Sequence, residues 1–406
     1  MTSTSSTPRL AGMNRGLTVL FAIAGGAAVG NLYWSQPLLG VIANSFGIST
    51  GTAGLLVTLT QVGYALGVFF IVPLGDVVNR KRVIPALMVL SAIFLAASAL
   101  APTFSVLLVT LALVGVTTVA GQLLTPLAGD LATDEQRGRV LGTVASGLIL
   151  GLLISRAISG IVADLLGWRA IYAAAAVLMV LVAILMARYL PALEPRDNVA
   201  YGSLLRSVLS TVGRNSTVRA TMVIGATVMS VFTMFWTGLT FLLSAPPFSF
   251  SATQIGLVSL IGIAGAISAM RVGRLFDRGL SIPAIGVGLI VTLISLTISG
   301  LGSTSIVLVL VSVAVFAIGV QGVQVLVQTR MLSIDPGARS RLNTVLVVGN
   351  FIGGAIGSAL AGVFWQFGGW HALTIAAAVV ILVPLTIWLT QRNKALVQGG
   401  TPSRTR

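Results

Sequence analysis

Few residues in this 406-residue chain could do chemistry, and their types exclude most of it. Cys is absent and His occurs once, at His371. Thiolate nucleophiles, disulfides, iron–sulfur clusters and multi-histidine metal or relay sites are therefore excluded. The nine acids are Asp76, Asp130, Asp134, Glu135, Asp164, Glu194, Asp197, Asp277 and Asp335. None falls in the middle of an apolar run, and they form no paired-carboxylate constellation. The expectation is a protein with no catalytic residue, no metal and no cofactor, and not an enzyme.

Arg156 is the residue that demands a reason, because it stands inside an apolar run. It follows Arg139 by 17 residues, about 25 Å along a helix rising 1.5 Å per residue. A guanidinium does not deprotonate, and a charge at the centre of a membrane helix costs about 2.5–3.5 kcal/mol. One reading makes it a contact for a substrate; the others are snorkelling to headgroups or bonding to backbone carbonyls. The first run offers Asn31, Tyr33, Trp34, Ser35 and Gln36 at similar depth, with Asn31 and Trp34 on one face at i, i+3. Gln61 and Tyr64 do the same in the second run, Trp236 stands in the seventh, and Gln321 and Gln324 stand in the tenth. The substrate-contact set is thus Asn31, Trp34, Gln61, Tyr64, Arg156, Trp236, Gln321 and Gln324, an amphipathic cavity with one cation. The competing readings are an interfacial aromatic belt for Trp and Tyr and interhelical bonding for Gln. Asp164, eight residues beyond Arg156, is the acid nominated for proton coupling.

The elements that must position these residues follow from composition. Charged residues make up 8% and hydrophobic residues 56%, with a mean hydropathy of +1.02. Soluble domains carry about 25% charged residues, so the main solvent of this chain is lipid. Twelve apolar runs, 17–41, 51–73, 83–101, 104–128, 140–163, 169–190, 219–244, 253–275, 282–301, 304–329, 342–366 and 370–391, are each at least 19 residues long. A helix needs about 20 to cross a bilayer. The fold class is an all-α integral membrane protein with twelve transmembrane helices. The net charge is +15, and 22 of the 24 Lys and Arg fall in the tails and in every second gap. The positive-inside rule makes that side, and both termini, cytoplasmic. The charge is topology, and no nucleic-acid partner is implied. The first run is too long for a cleavable signal.

Shifting the chain by 202 residues aligns Arg137 with Arg339, Arg139 with Arg341, Gly147 with Gly349, Gly151 with Gly353, Gly160 with Gly362 and Trp168 with Trp370. The chain therefore reads as two pseudo-symmetric, parallel six-helix bundles, 17–190 and 219–391, with a pathway between them. The cytoplasmic tails are 1–16 and 392–406, and the cytoplasmic linker is 191–218. Within it, Leu204, Leu205, Val208, Leu209 and Val212 recur at helical spacing. That predicts an amphipathic helix, either on the inner leaflet or solvated. The stripes Gly147-x3-Gly151-x3-Ser155 and Gly349-x3-Gly353-x3-Gly357 predict close helix packing.

The second-to-third connection reads Pro73-Leu74-Gly75-Asp76-Val77-Val78-Asn79-Arg80-Lys81-Arg82, and Gly273-Arg274-Leu275-Phe276-Asp277-Arg278-Gly279 echoes it in the second half. Both resemble the loop motif of the major facilitator superfamily, Gly-x-Leu-Ala-Asp-Arg-x-Gly-Arg-Arg. The first copy has Val72 and Asn79 at two of its glycines. An acid at a helix end followed by basic residues can hold two helix ends in one state and release them in another. Asp76, Arg80, Arg139, Asp277, Arg278 and Arg341 are accordingly the expected gating residues. The resemblance is to the bacterial drug- and sugar-efflux branch, although Ile154-Ser155-Arg156-Ala157 lacks the proline of the drug antiporters. It implies proton-coupled efflux of an amphipathic compound by alternating access, from a monomer in the bacterial cytoplasmic membrane. The alternative is uptake of a small anionic metabolite using Arg156.

Overall fold

The computed structural model of the protein describes residues 12–191, 201–393 and 396, without the side chains of Asp76, Asp277 and Pro336. Most of both tails and residues 192–200 of the expected linker lie outside the described residues.

Lipid offers no partner to a backbone N–H or C=O, so each apolar run closes its hydrogen bonds internally as a helix. The described spans are α1 (Arg15–Gly30, continued by Leu39–Phe46), α2 (Thr50–Ala53 and Leu55–Val77), α3 (Arg80–Ala99), α4 (Phe104–Thr117 and Ala120–Leu131), α5 (Asp134–Leu166) and α6 (Trp168–Tyr189). The second half has α7 (Ser216–Ser244), α8 (Ala252–Val258, continued by Ile263–Asp277), α9 (Ser281–Leu301) and α10 (Ile306–Ser333). The last helical stretch, Arg339–Gln391, breaks at Gly368 and at Gly369, whose φ is +60°. That left-handed glycine divides it into α11 (339–367) and α12 (370–391). Polar caps start several helices: Asn14 accepts from Leu17 N, Asn79 from Lys81 N and Asn215 from Thr217 N.

Three of the departures from the expected runs bear on the site and its surroundings. The fifth span begins at Asp134 rather than 140, so Arg137 and Arg139 ride on the helix. The seventh begins at Ser216, inside the expected linker. The first run is interrupted: α1 stops at Gly30, turns through 31–35, resumes as a 3-10 turn at Gln36–Leu38 and ends at Phe46. Pro37 has no N–H to give to Tyr33 O, which instead accepts from Gln36 N in a tighter turn.

Buried side chains fall into two hydrophobic clusters, one built mainly from residues 13–190 and the other mainly from 208–396. The glycine stripes do in both halves what their spacing predicts. Gly147 and Gly151 lie against the backbone of Ala22 and Gly26 in α1, and Gly353 and Gly357 lie against Ala226 and Ser230 in α7. Any larger side chain there meets a main-chain atom that has nowhere to move. The α1–α5 pair of the first half is thus repeated as α7–α11 in the second, and the halves meet where α2 packs on α11 and α5 on α8.

The linker helix, Tyr201–Arg214, is neither free on a leaflet nor solvated all round. Its Tyr201 hydroxyl donates to Phe70 O at 2.6 Å, and Val208 is buried. With Phe69 of α2 and Met222 of α7, Val208, Leu209 and Val212 border an apolar cavity of about 420 Å³. Arg219 ties its far end by donating to Val212 O and Gly213 O.

Candidate functional site

Glycines bring the two halves together around Arg156. Gly160 of α5 abuts the Ala252 carbonyl, and Gly256 of α8 abuts the Arg156 carbonyl. The close approach seats the Arg156 side chain between the halves, where it is 3% exposed. Its guanidinium carbon lies 4.5 Å from the ring centroid of Trp236, 4.8 Å from that of Tyr33 and 5.8 Å from that of Phe232. Such faces attract a cation electrostatically, the more so when water is excluded. They accept no strong hydrogen bond, and Arg156 Nε and Nη2 have no hydrogen-bond partner. Among the described residues no carboxylate forms an ion pair with it. A cavity of about 10 Å³ adjoins it, bordered by Gln36, Thr240 and Ser259 among others.

Two of the three helices facing Arg156, α1 and α8, are discontinuous there, while α7 is unbroken. The break in α1 delivers Tyr33 and Gln36, and Ser159 Oγ pins it by donating to Trp34 O at 2.6 Å. In α8 a 3-10 turn, Ser259–Gly262, interrupts the helix beside the same cavity. Interrupted helices at membrane depth are tolerated where they are buried in protein or line a cavity.

The structure separates the expected substrate contacts into three groups. Arg156 and Trp236 stand together, and Trp236 Nε1 is unpartnered. Gln61 and Tyr64 sit on the α2–α11 seam: Gln61 packs on Gly354 with both amide atoms unpartnered, and the Tyr64 ring lies 4.2 Å from that of Phe351. The Tyr64 hydroxyl accepts from Gln122 Nε2 at 3.0 Å. Asn31, Trp34, Gln321 and Gln324 are each engaged within their own half. Asn31 Oδ1 accepts from Trp34 Nε1 at 2.9 Å and Asn31 Nδ2 donates to Thr118, which satisfies all three inside the first half. Gln324 bonds Gly225 O and Asn350 inside the second, and Gln321 packs beside Gly265 of α8. Sequence reasoning passed over Phe232, which carries no polar atom to betray a role. It placed Tyr33 and Gln36 at the right depth but had no means of choosing them over Asn31 and Trp34.

The two ends of the bundle differ. At the end away from the Arg clusters the halves are bonded to each other. Asp164 Oδ2 accepts from Thr253 N at 2.8 Å, Thr253 Oγ1 donates to Gly160 O, Ser358 Oγ donates to Gly54 O and Gln366 Nε2 donates to Ser49 Oγ. Asp164, nominated for proton coupling, here meets the exposed N-terminus of α8, where a carboxylate is favoured. At the basic end, Arg80 donates to Gly75 O at 2.7 Å and pairs with Asp130 at 3.1 Å. That bond joins α3 to α4 within one half rather than bridging the halves. The side chains of Asp76 and Asp277, expected to gate, lie outside the described residues. Arg139, Arg278 and Arg341 are exposed.

Two broken helices face a buried cation between parallel halves that are bonded to each other at one end, an arrangement of the kind transporters use. A model of the Major Facilitator Superfamily matches residues 19–336. The chain is 39% identical to the uncharacterized transporter YgaY of Escherichia coli O157:H7 over 92% of its length and 94% of that protein's. It is 24% identical to a probable sugar efflux transporter of Helicobacter pylori, covering 74% of this chain and 76% of that one. Among solved structures it resembles a bacterial homolog of the human lysosomal transporter Spinster in an inward-facing, occupied conformation, with a TM-score of 0.79 and 14% identity, covering 96% of this chain and 98% of that one. Twelve spans in two like halves, the loop motif and these similarities agree: the chain is a transporter of the major facilitator superfamily.

Proposed function

We propose that the protein exports a small amphipathic organic anion across the bacterial cytoplasmic membrane by alternating access, as a monomer. The observation that carries this reading is the Arg156 guanidinium, buried between the halves against three aromatic rings and lacking a counter-charge among the described residues. An unpaired buried ion is disfavoured by several kcal/mol. A carboxylate or sulfonate with an apolar body relieves that penalty through the guanidinium while its body meets the rings. Gln61 and Tyr64 on the α2–α11 seam supply further contacts as the halves rock. In this reading the basic end is cytoplasmic and the sealed end periplasmic.

Membrane potential favours the outward direction for an anion, by about 2.3 kcal/mol per charge per 100 mV. The resemblance implies protons as the coupling ion. The acids nominated or available for that role, Asp164 and Asp130, are engaged by the α8 N-terminus and by Arg80. Uptake of an anionic metabolite would use the same guanidinium, but against the potential and with a coupling cation for which no carboxylate among the described residues pairs with Arg156.

Everted membrane vesicles holding the full chain test the reading with a panel of aromatic carboxylates, aromatic amines and neutral sugars. Accumulation of carboxylates that Arg156→Gln abolishes is the expected result. Accumulation of amines or sugars, undiminished in Arg156→Gln, would overturn it.

A further inference from the structure

Three buried side chains around the small cavity beside Arg156 leave five polar atoms without partners: Arg156 Nε and Nη2, Trp236 Nε1, and Gln36 Nε2 and Oε1. Each of the three residues is more than nine-tenths buried. Buried polar groups are normally paired, so these atoms call for an occupant. A cavity of about 10 Å³ has room for one water and for no organic molecule. Gln36 differs from the other two. It opens the 3-10 turn that follows the break in α1, and its amide is the one group of the three that both donates and accepts.

One water satisfies the set. Its oxygen accepts from Arg156 and Trp236, which can only donate. Its hydrogens have two kinds of acceptor: Gln36 Oε1, which is free, and the lone pairs of Thr240 and Ser259, whose own hydrogens go to Trp236 O and Gly256 O. All of these residues border the cavity. A carboxylate oxygen standing in the same place also accepts from Arg156 and Trp236, but it has no hydrogen to give. Gln36 Oε1 would then face it lone pair to lone pair. Turning the amide over puts Nε2 there instead, and no existing bond opposes the turn, because neither amide atom has a partner. An ammonium group fails at the outset, since Arg156 and Trp236 cannot accept its hydrogens.

We propose that this cavity holds a single water in the unloaded carrier, that one oxygen of the substrate carboxylate takes its place, and that Gln36 determines specificity because its amide serves both. The inference rests on the reading of Arg156 as the contact for an organic anion and adds Gln36 as a second contact. The replacement occurs when the halves part, since the apolar body of the substrate does not fit the closed cavity. Water carries no charge, so its departure leaves the outward movement of negative charge as it was.

Two substitutions at Gln36 test this. Gln36→Met keeps the length of the side chain but offers no donor and only a weak acceptor. In everted vesicles holding the full chain, given benzoate and the larger aromatic carboxylates of the panel, it is expected to raise KM at least about tenfold, as the loss of a hydrogen bond to a charged group does. No comparable fall in maximal rate is expected. Gln36→Glu puts a fixed acceptor and a negative charge beside Arg156. It is expected to abolish carboxylate export while raising the unfolding temperature, because the guanidinium gains a counter-charge. A crystal structure of the substrate-free protein detailed enough to show ordered water is expected to place one water within hydrogen-bonding distance of Arg156, Trp236 and Gln36. An unchanged KM in Gln36→Met, a lowered unfolding temperature with export retained in Gln36→Glu, or a cavity that shows no water overturns the inference. Carboxylate export that still depends on Arg156 leaves the proposed function standing in each of those cases. A protein that shows the water but exports no carboxylate overturns the proposed function and the substrate contact of Gln36 together, and leaves the water site standing.

Discussion

Replacing Gly256 by Ala is a one-carbon test of the seal. The added methyl would lie 2.5 Å from the Arg156 carbonyl oxygen and 3.2 Å from Ala157 Cα. Ordinary carbon–oxygen contact begins near 3.4 Å, so α8 and α5 must part by about 0.9 Å at the level of Arg156. The obstacle is main chain in a helix, which cannot rotate aside. Overpacking of this kind costs about 1–3 kcal/mol, equivalent to a factor of about 5–150 in an equilibrium between two states. Only the state with this end closed bears the clash, so the population moves toward the state open there. The chain has no Cys, which makes paired spin labels at Leu165→Cys and Phe367→Cys unambiguous. Both positions lie at the sealed end, one in each half, and are 75% and 84% exposed. Pulsed electron paramagnetic resonance is expected to show a longer distance population rising from minor to substantial in Gly256→Ala. Gly142→Ala is the control, because a methyl there meets nothing within 4 Å. An unchanged distance distribution in Gly256→Ala, or an equal change in Gly142→Ala, would refute the idea that the α5–α8 contact holds this end shut.

Asp164→Asn removes the charge facing the α8 N-terminus while keeping an acceptor. At an exposed position this is expected to shift the same label pair by no more than about fivefold in population. Asp130→Asn breaks the pairing with Arg80, whose side chain is 10% exposed. Loss of a largely buried partner lowers stability by about 2–4 kcal/mol, read as an earlier unfolding transition in detergent, with label distances at the sealed end unchanged. Asn31→Leu strands Trp34 Nε1, while the Thr118 hydroxyl keeps its bond to Ala28 O. About 2–3 kcal/mol of destabilisation is expected, while the relative transport of carboxylates and amines stays as in the parent, because these groups serve packing. A change in that ratio without a drop in stability would return Asn31 to the substrate contacts.

Hydropathy and charge determined the class and the spans, residue identities the repeat, and glycine spacing the seams. The reason is that lipid leaves the backbone one local solution, and a run of sufficient length then has to be a helix. Glycine spacing is equally local, since small residues four apart share a face whichever helix they meet. Identity of neighbours is not local. Asn31 and Trp34 satisfy each other because α4 presents Thr118 to them. Arg80 finds Asp130 50 positions away in the chain. Arg156 is ringed by Tyr33 from α1 and by Phe232 and Trp236 from α7, 123 positions before it and 76 and 80 after it. An apolar run carries no mark of which face will meet another half, because lipid and protein interior reward the same side chains. Only the assembled bundle distinguishes a cation left at a membrane surface from one enclosed by aromatic rings with its nitrogens unbonded.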